Sequence, residues 1–72
     1  MKIWNQVLNR EGEIEREEWV KTLELTKEEA RASIGRMQSA FPLSGYNEEH
    51  DYYWARHDDD EFRLHRWFIL QE

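Results

Sequence analysis

Residues 26–42, TKEEARASIGRMQSAFP, carry the sharpest structural signal in the chain. The Thr26 hydroxyl can accept from the backbone N–H of Glu29, and the Glu29 carboxylate can accept in return from the N–H of Thr26. Thr26 to Glu29 therefore reads as a capping box. Behind it Ala30, Ile34, Met37 and Phe41 step by four, three and four, which draws one stripe along a helix of period 3.6. Pro42 cannot continue that helix. The spacing predicts a helix over 26–41, and it makes Ile14 to Phe41 the segment around which the rest is organised.

The 72 residues make one small domain, 1–72. A chain of this size buries only about 60% of its unfolded surface, so its stability margin is thin. There is no cysteine, and hence neither a disulfide nor a zinc–thiolate site to staple it. Four Trp, three Tyr and three Phe compensate, since each ring buries roughly 150–250 Å² when packed inside. No apolar run approaches the roughly 20 residues that span a bilayer. Lys2-Ile3-Trp4-Asn5-Gln6 does not open a signal peptide, so a cytoplasmic protein without membrane association is expected. The net charge of −6 opposes non-specific attraction to nucleic acid. Residues 26–41 form the only positive segment, at +1.

Ahead of the capped helix, Ile3, Trp4, Val7 and Leu8 fall at helical spacing, which predicts a first helix over 2–10 closed by Gly12. Glu13-Ile14-Glu15 is a short extended link. A second helix is expected from Arg16 to about Leu23, with Trp19, Val20 and Leu23 on one face. Glu15, Glu17 and Glu18 at its start suit the helix dipole. Glu24-Leu25 is a tight turn, and Pro42 to Gly45 a loop. From Asp51 the period becomes alternating, which predicts strands over 52–57 and 62–70 joined through Asp58-Asp59-Asp60-Glu61. A two-residue turn at Asp59-Asp60 pairs residues whose numbers sum to 119. One hairpin face then carries Tyr53, Ala55, Phe62, Leu64, Phe68 and Leu70. The other carries Tyr52, Trp54, Arg56, Arg63, His65 and Trp67.

An apolar Ile14, paired apolar positions Trp19-Val20 and Leu23, the turn Glu24-Leu25-Thr26, the capped helix Lys27–Phe41 and the hairpin Tyr52–Leu70 together resemble a winged helix-turn-helix domain. The resemblance implies an α+β fold of three short helices followed by a C-terminal two-stranded wing. It also implies a DNA-binding transcriptional regulator whose third helix enters the major groove. Carried over by position, the groove-facing residues are Lys27, Arg31, Ala32, Gly35, Arg36 and Ser39, with Arg56 and Arg63 contributed by the wing. Arg31 and Arg36 are the side chains suited to guanine edges or phosphates. The expected partner on this reading is double-stranded DNA, with a homodimer through the hairpin or the first helix left open.

A second reading starts from the same residues. The charge of −6, Glu28 at the start of the capped helix and the acidic Asp58–Glu61 tip all oppose a DNA backbone. The hairpin face of Tyr52, Trp54, His65 and Trp67, beside Arg56, carries residue types enriched at protein interfaces, and its rings could also stack on bases. An adaptor, or an antagonist of a nucleic-acid-binding partner, would use that face. The plainer account is a sandwiched hairpin with Trp67 inside. No catalytic arrangement is visible: there is no Gly-rich phosphate loop, no H-E-x-x-H and no Ser with a defensible His partner. His50, His57 and His65 match no zinc spacing, and Asp58–Glu61 lacks the ligand order of a calcium loop. Neither enzymatic activity nor a metal or other cofactor is expected.

Overall fold

The computed structural model describes residues 1–20, 24–58 and 63–71. Its elements run β1 (Lys2–Leu8), β2 (Ile14–Trp19), α1 (Lys27–Gln38), β3 (Leu43–Asn47), β4 (Tyr52–Arg56) and β5 (Leu64–Leu70). The strands form one antiparallel sheet in the order β2-β1-β5-β4-β3. The helix packs on one face of that sheet. This overturns the winged helix-turn-helix expectation, because the described residues hold one helix and five strands, not three helices and a two-stranded wing.

The first two expected helices are strands, and the reason lies in the spacing. A separation of four is common to both periods, close to one helical turn and also two full strand repeats. Ile3 and Val7, or Trp4 and Leu8, therefore share a face in either structure. In β1 the odd residues Ile3, Asn5 and Val7 turn toward the helix, where all three are buried. Residues 14–19 are rich in helix formers, yet they pair with β1 as an edge strand, exposed throughout. Tertiary pairing has outweighed local propensity there. Gly12 does adopt the left-handed conformation, with φ of +84°, but it closes the β1–β2 hairpin and not a helix. Asn9 Oδ1 fastens that turn by accepting from the N–H groups of Glu11 and Glu13.

The capped helix forms as expected. Thr26 Oγ1 accepts from the Glu29 N–H at 3.1 Å, and Glu29 Oε1 accepts from the Thr26 N–H at 3.0 Å. Its regular turns end at Gln38, with Ser39 as C-cap, somewhat short of the expected Phe41. Ala30 and Ile34 join Ile3, Ala55 and Trp67 in the core, while Met37 and Phe41 pack at its margin. Gln38 Nε2 donates to the carbonyls of Gly45 and Trp54, both at 3.0 Å, and so fixes the helix end to β3 and β4. The loop expected over Pro42–Gly45 is instead the start of β3, which holds Leu43, Ser44 and Gly45 and pairs them with β4.

The C-terminal hairpin forms in a different register. Tyr53 pairs with Trp67, Trp54 with Arg66, Ala55 with His65 and Arg56 with Leu64. Those numbers sum to 120, one residue away from the expected 119. A slip of one residue turns every side chain of β5 to the opposite face relative to β4. Trp67 thus enters the core, and Phe68 and Leu64 turn away from the helix. Leu23, Asp59, Asp60, Glu61 and Phe62, which the sequence placed in the second helix and the wing, lie outside the described residues.

Candidate functional site: the open face of the sheet

The helix covers one face of the sheet. On the other face the registers align side chains into rows that run across the strands. One row joins Trp19, Trp4, Phe68 and Tyr52, contributed by β2, β1, β5 and β4, with Asn47 of β3 beyond them. Trp4 and Trp19 meet edge to face at 4.9 Å, and Tyr52 and Phe68 lie 5.3 Å apart. Trp19 is 44% exposed, although its size and chemistry favour burial. A second row holds Glu17, Gln6, Arg66, Trp54 and Gly45. A third holds Ile14, Leu8, Leu64, Arg56 and Leu43. Lys2 and Leu70 close the face at its end.

The middle row is tied together by hydrogen bonds. Arg66 Nη2 donates to Gln6 Oε1 at 2.8 Å, and Gln6 Nε2 donates to Glu17 Oε2 at 3.0 Å. The Arg66 guanidinium also lies 5.1 Å from the Tyr52 ring centroid and 5.7 Å from that of Phe68. Lys2 Nζ sits 5.8 Å from the Trp19 ring. Lys2 and Arg66 therefore rest on aromatic rings, whose negative faces attract them. Next to Arg66, the Trp54 indole lies over Gly45. A Cβ on Gly45 would come within 2.8 Å of Trp54 Cζ2, so glycine is what lets the ring lie down on the edge strand. Asn47, Tyr52, Trp54, Arg56 and Leu64 line a shallow hollow of about 290 Å³ beside it.

The residues singled out from the sequence divide between the two sides. Lys27, Arg31, Arg36 and Ser39 are exposed on the outer surface of α1, with Ser39 Oγ donating to the Arg36 carbonyl at 2.6 Å. Ala32 and Gly35 are exposed with them. Arg56 lies on the opposite side of the molecule, on the open face, because its neighbour Ala55 is the residue that points into the core. Arg63 pairs with Glu15 at 3.2 Å near the β2 edge. The fold does not bring the expected DNA-contacting residues onto one surface. The expected interface set also divides: Tyr52 and Trp54 are on the open face, whereas Trp67 is 3% exposed in the core and His65 is half-buried against Phe41 at 4.7 Å. Trp4, Trp19, Phe68 and Leu64 complete the open face and were not among the expected site residues.

Titratable groups mark the other side of the molecule. Burial lowers the His65 pKa from its ordinary value, and the neighbouring His57, Arg16 and Arg63 lower it further. Val7, Glu15, Arg16, Arg63 and His65 line a hollow of about 280 Å³ there. The hydrogen bond to Asp51 raises the Tyr46 phenol above its usual range, and the Thr26 backbone N–H holds Glu29 below its own. Among the described residues no three His, Asp or Glu side chains converge to hold a metal ion. No helix among them is long and apolar enough to cross a membrane. No protein-family model matches the chain, and no curated protein or solved structure matches it.

Proposed function

We propose that this domain is a protein-interaction module, not an enzyme, and that its working surface is the open face of the sheet. The observation that carries this reading is the aromatic row Trp19, Trp4, Phe68 and Tyr52 on the face that the helix leaves uncovered. With Leu70 beside it, the row is an aromatic strip across four strands, and Leu64 and Ile14 lie beyond the polar Glu17–Gln6–Arg66 row. Aromatic rings beside arginine are also the composition of interface hot spots.

Duplex DNA binding drew its support from the winged-helix arrangement. Without that arrangement its remaining support is the exposed set Lys27, Arg31, Arg36 and Ser39, interleaved with Glu28. One experiment separates the readings. Binding in extract of the native host is compared for the wild type, for Trp4→Ser/Phe68→Ser, and for Arg31→Ala/Arg36→Ala. Labelled random duplex is titrated against the same proteins by anisotropy at two salt concentrations. The expected result is a defined protein partner lost only with the sheet-face pair, and no salt-sensitive binding of duplex. Duplex binding that weakens steeply with salt and is lost with the helix pair refutes the proposal.

A further inference from the structure

Among the described residues, the floor of the open face carries three cations, Lys2, Arg56 and Arg66, and one carboxylate, Glu17. The central cation is already engaged, since Arg66 lies over two rings and connects through Gln6 to Glu17. The surround is different. Glu11 and Glu13 lie in the β1–β2 turn, Glu48 and Glu49 in the β3–β4 turn, and Asp58 after β4; each is exposed. Among the described residues of those turns, only Arg10 opposes them. The face is thus an aromatic floor inside an acidic rim.

That distribution selects among occupants. A polyanion crossing the face meets the rim on both ends, where like charge repels it. A second copy stacked face to face sets three cations and one carboxylate against the same set. An apolar stripe with basic flanks meets the floor with its rings and the rim with its charges. The dimensions also fit. Five strands about 4.8 Å apart span roughly 19 Å, and strands of five to seven residues run for about 17–23 Å. A helix of about 14 residues is roughly 21 Å long and 10 Å wide, and it lies within that area. Resting on the docking reading above, we infer that the open face receives an amphipathic helix with an apolar stripe flanked by Lys or Arg, supplied by a partner protein. Such a helix would give the sheet on its second side the layer that α1 gives it on the first.

The test uses the full chain and two synthetic 18-residue peptides. One places leucine and lysine at helical period, and the other has glutamate at every lysine position. Binding is followed by anisotropy and mapped on the amide spectrum. Trp19→Ser is the companion variant, because Trp19 is the most exposed ring of the row and lies on an edge strand, so its loss leaves the core intact. The inference expects the leucine–lysine peptide to bind at least tenfold tighter than the glutamate peptide. It expects shifts at Trp4, Gln6, Arg66 and Phe68, and an affinity several-fold weaker in Trp19→Ser. Equal affinity of both peptides for this face overturns the basic-flank inference and leaves the docking reading standing. Shifts confined to acidic turns, with no effect of Trp19→Ser, overturn the inference by showing charge attraction alone. If neither peptide touches the face, while a 15-residue oligo-dT or self-association does occupy it, both the inference and the docking reading fall.

Discussion

Replacing Gly45 by alanine puts a methyl group where the Trp54 indole lies. The added carbon would sit 2.8 Å from Cζ2 and 2.9 Å from Cε2 and Nε1, closer than carbon atoms tolerate. The ring must therefore tilt or lift. The backbone cannot yield easily, because Gln38 holds the carbonyls of both Gly45 and Trp54. Overpacking of this kind costs about 1–3 kcal/mol. Against it stands the gain from restricting the unfolded chain, about 0.4–1 kcal/mol for glycine to alanine. The difference is a net loss of roughly 1–2 kcal/mol, or a fall in Tm of about 4–16 °C at 4–8 °C per kcal/mol for a domain of this size. The mechanism, and not merely the sign, is tested by a double-mutant cycle with Trp54→Leu. In that background the alanine has no indole to displace, so Gly45→Ala should become neutral or stabilising. Chemical denaturation of the four proteins gives the coupling. An equal cost of Gly45→Ala in both backgrounds would refute the claim that the glycine exists to seat the ring.

Two further outcomes follow from the register and from burial. Trp67→Ala should cost about 3–5 kcal/mol, as for a buried aromatic, while Phe68→Ser, on the uncovered face, should cost well under half of that by denaturant titration; the expected 119 register demands the reverse order. The depressed pKa of His65 gives a pH signature. Near pH 6.5 the unfolded chain binds a proton that the folded state refuses, so stability falls as pH drops through the unfolded value, and levels off below the folded one. The groups around the imidazole are His57, Arg16 and Arg63. Thermal melts from pH 7.5 to 5 should show less acid destabilisation in His65→Gln than in the wild type.

The helix was legible because its signals are local and redundant. Thr26 and Glu29 cap each other within four residues, and the Ala30-Ile34-Met37-Phe41 stripe includes a step of three, which a strand does not produce on one face. Residues 2–8 have one step of three, Trp4 to Val7, which the strand splits between its two faces, and the pairs Ile3–Val7 and Trp4–Leu8, which both periods accommodate. Residues 14–19 were harder still: their glutamates read as a helix start, whereas they protect a sheet edge from further pairing. The strands at 52–56 and 64–70 were readable from composition, but their register was not. It is set by β1 pairing with β5, between residues separated by most of the chain, and by Trp67 packing on Ile3 and Ala55. The candidate site was half visible for the same reason. Tyr52 and Trp54 were identified from their hairpin, while Trp4 and Trp19 reach the open face only through pairings that no local pattern encodes.

Two of the three inner strands, β1 and β5, nonetheless carry a signal that bears on function. In β1, Ile3 and Val7 serve the helix side while Trp4 and Leu8 serve the other; in β5, Trp67 and Ile69 serve the helix side while Leu64, Phe68 and Leu70 serve the other. Strands apolar on both faces are the pattern of a sheet covered on both sides, and a sheet with one solvated face alternates instead. Here α1 covers only one side. Of the edge strands, β2 brings Ile14 and Trp19 to this face on either side of Glu17, and β3 has glycine at its centre. The rings thus run from the β2 edge across β1 and β5 to β4. A solvated face gains nothing from Trp4 and Phe68 at its centre. In the proposed docking this chain supplies two layers of a three-layer assembly and the partner helix the third, which is the arrangement that strands apolar on both faces suit.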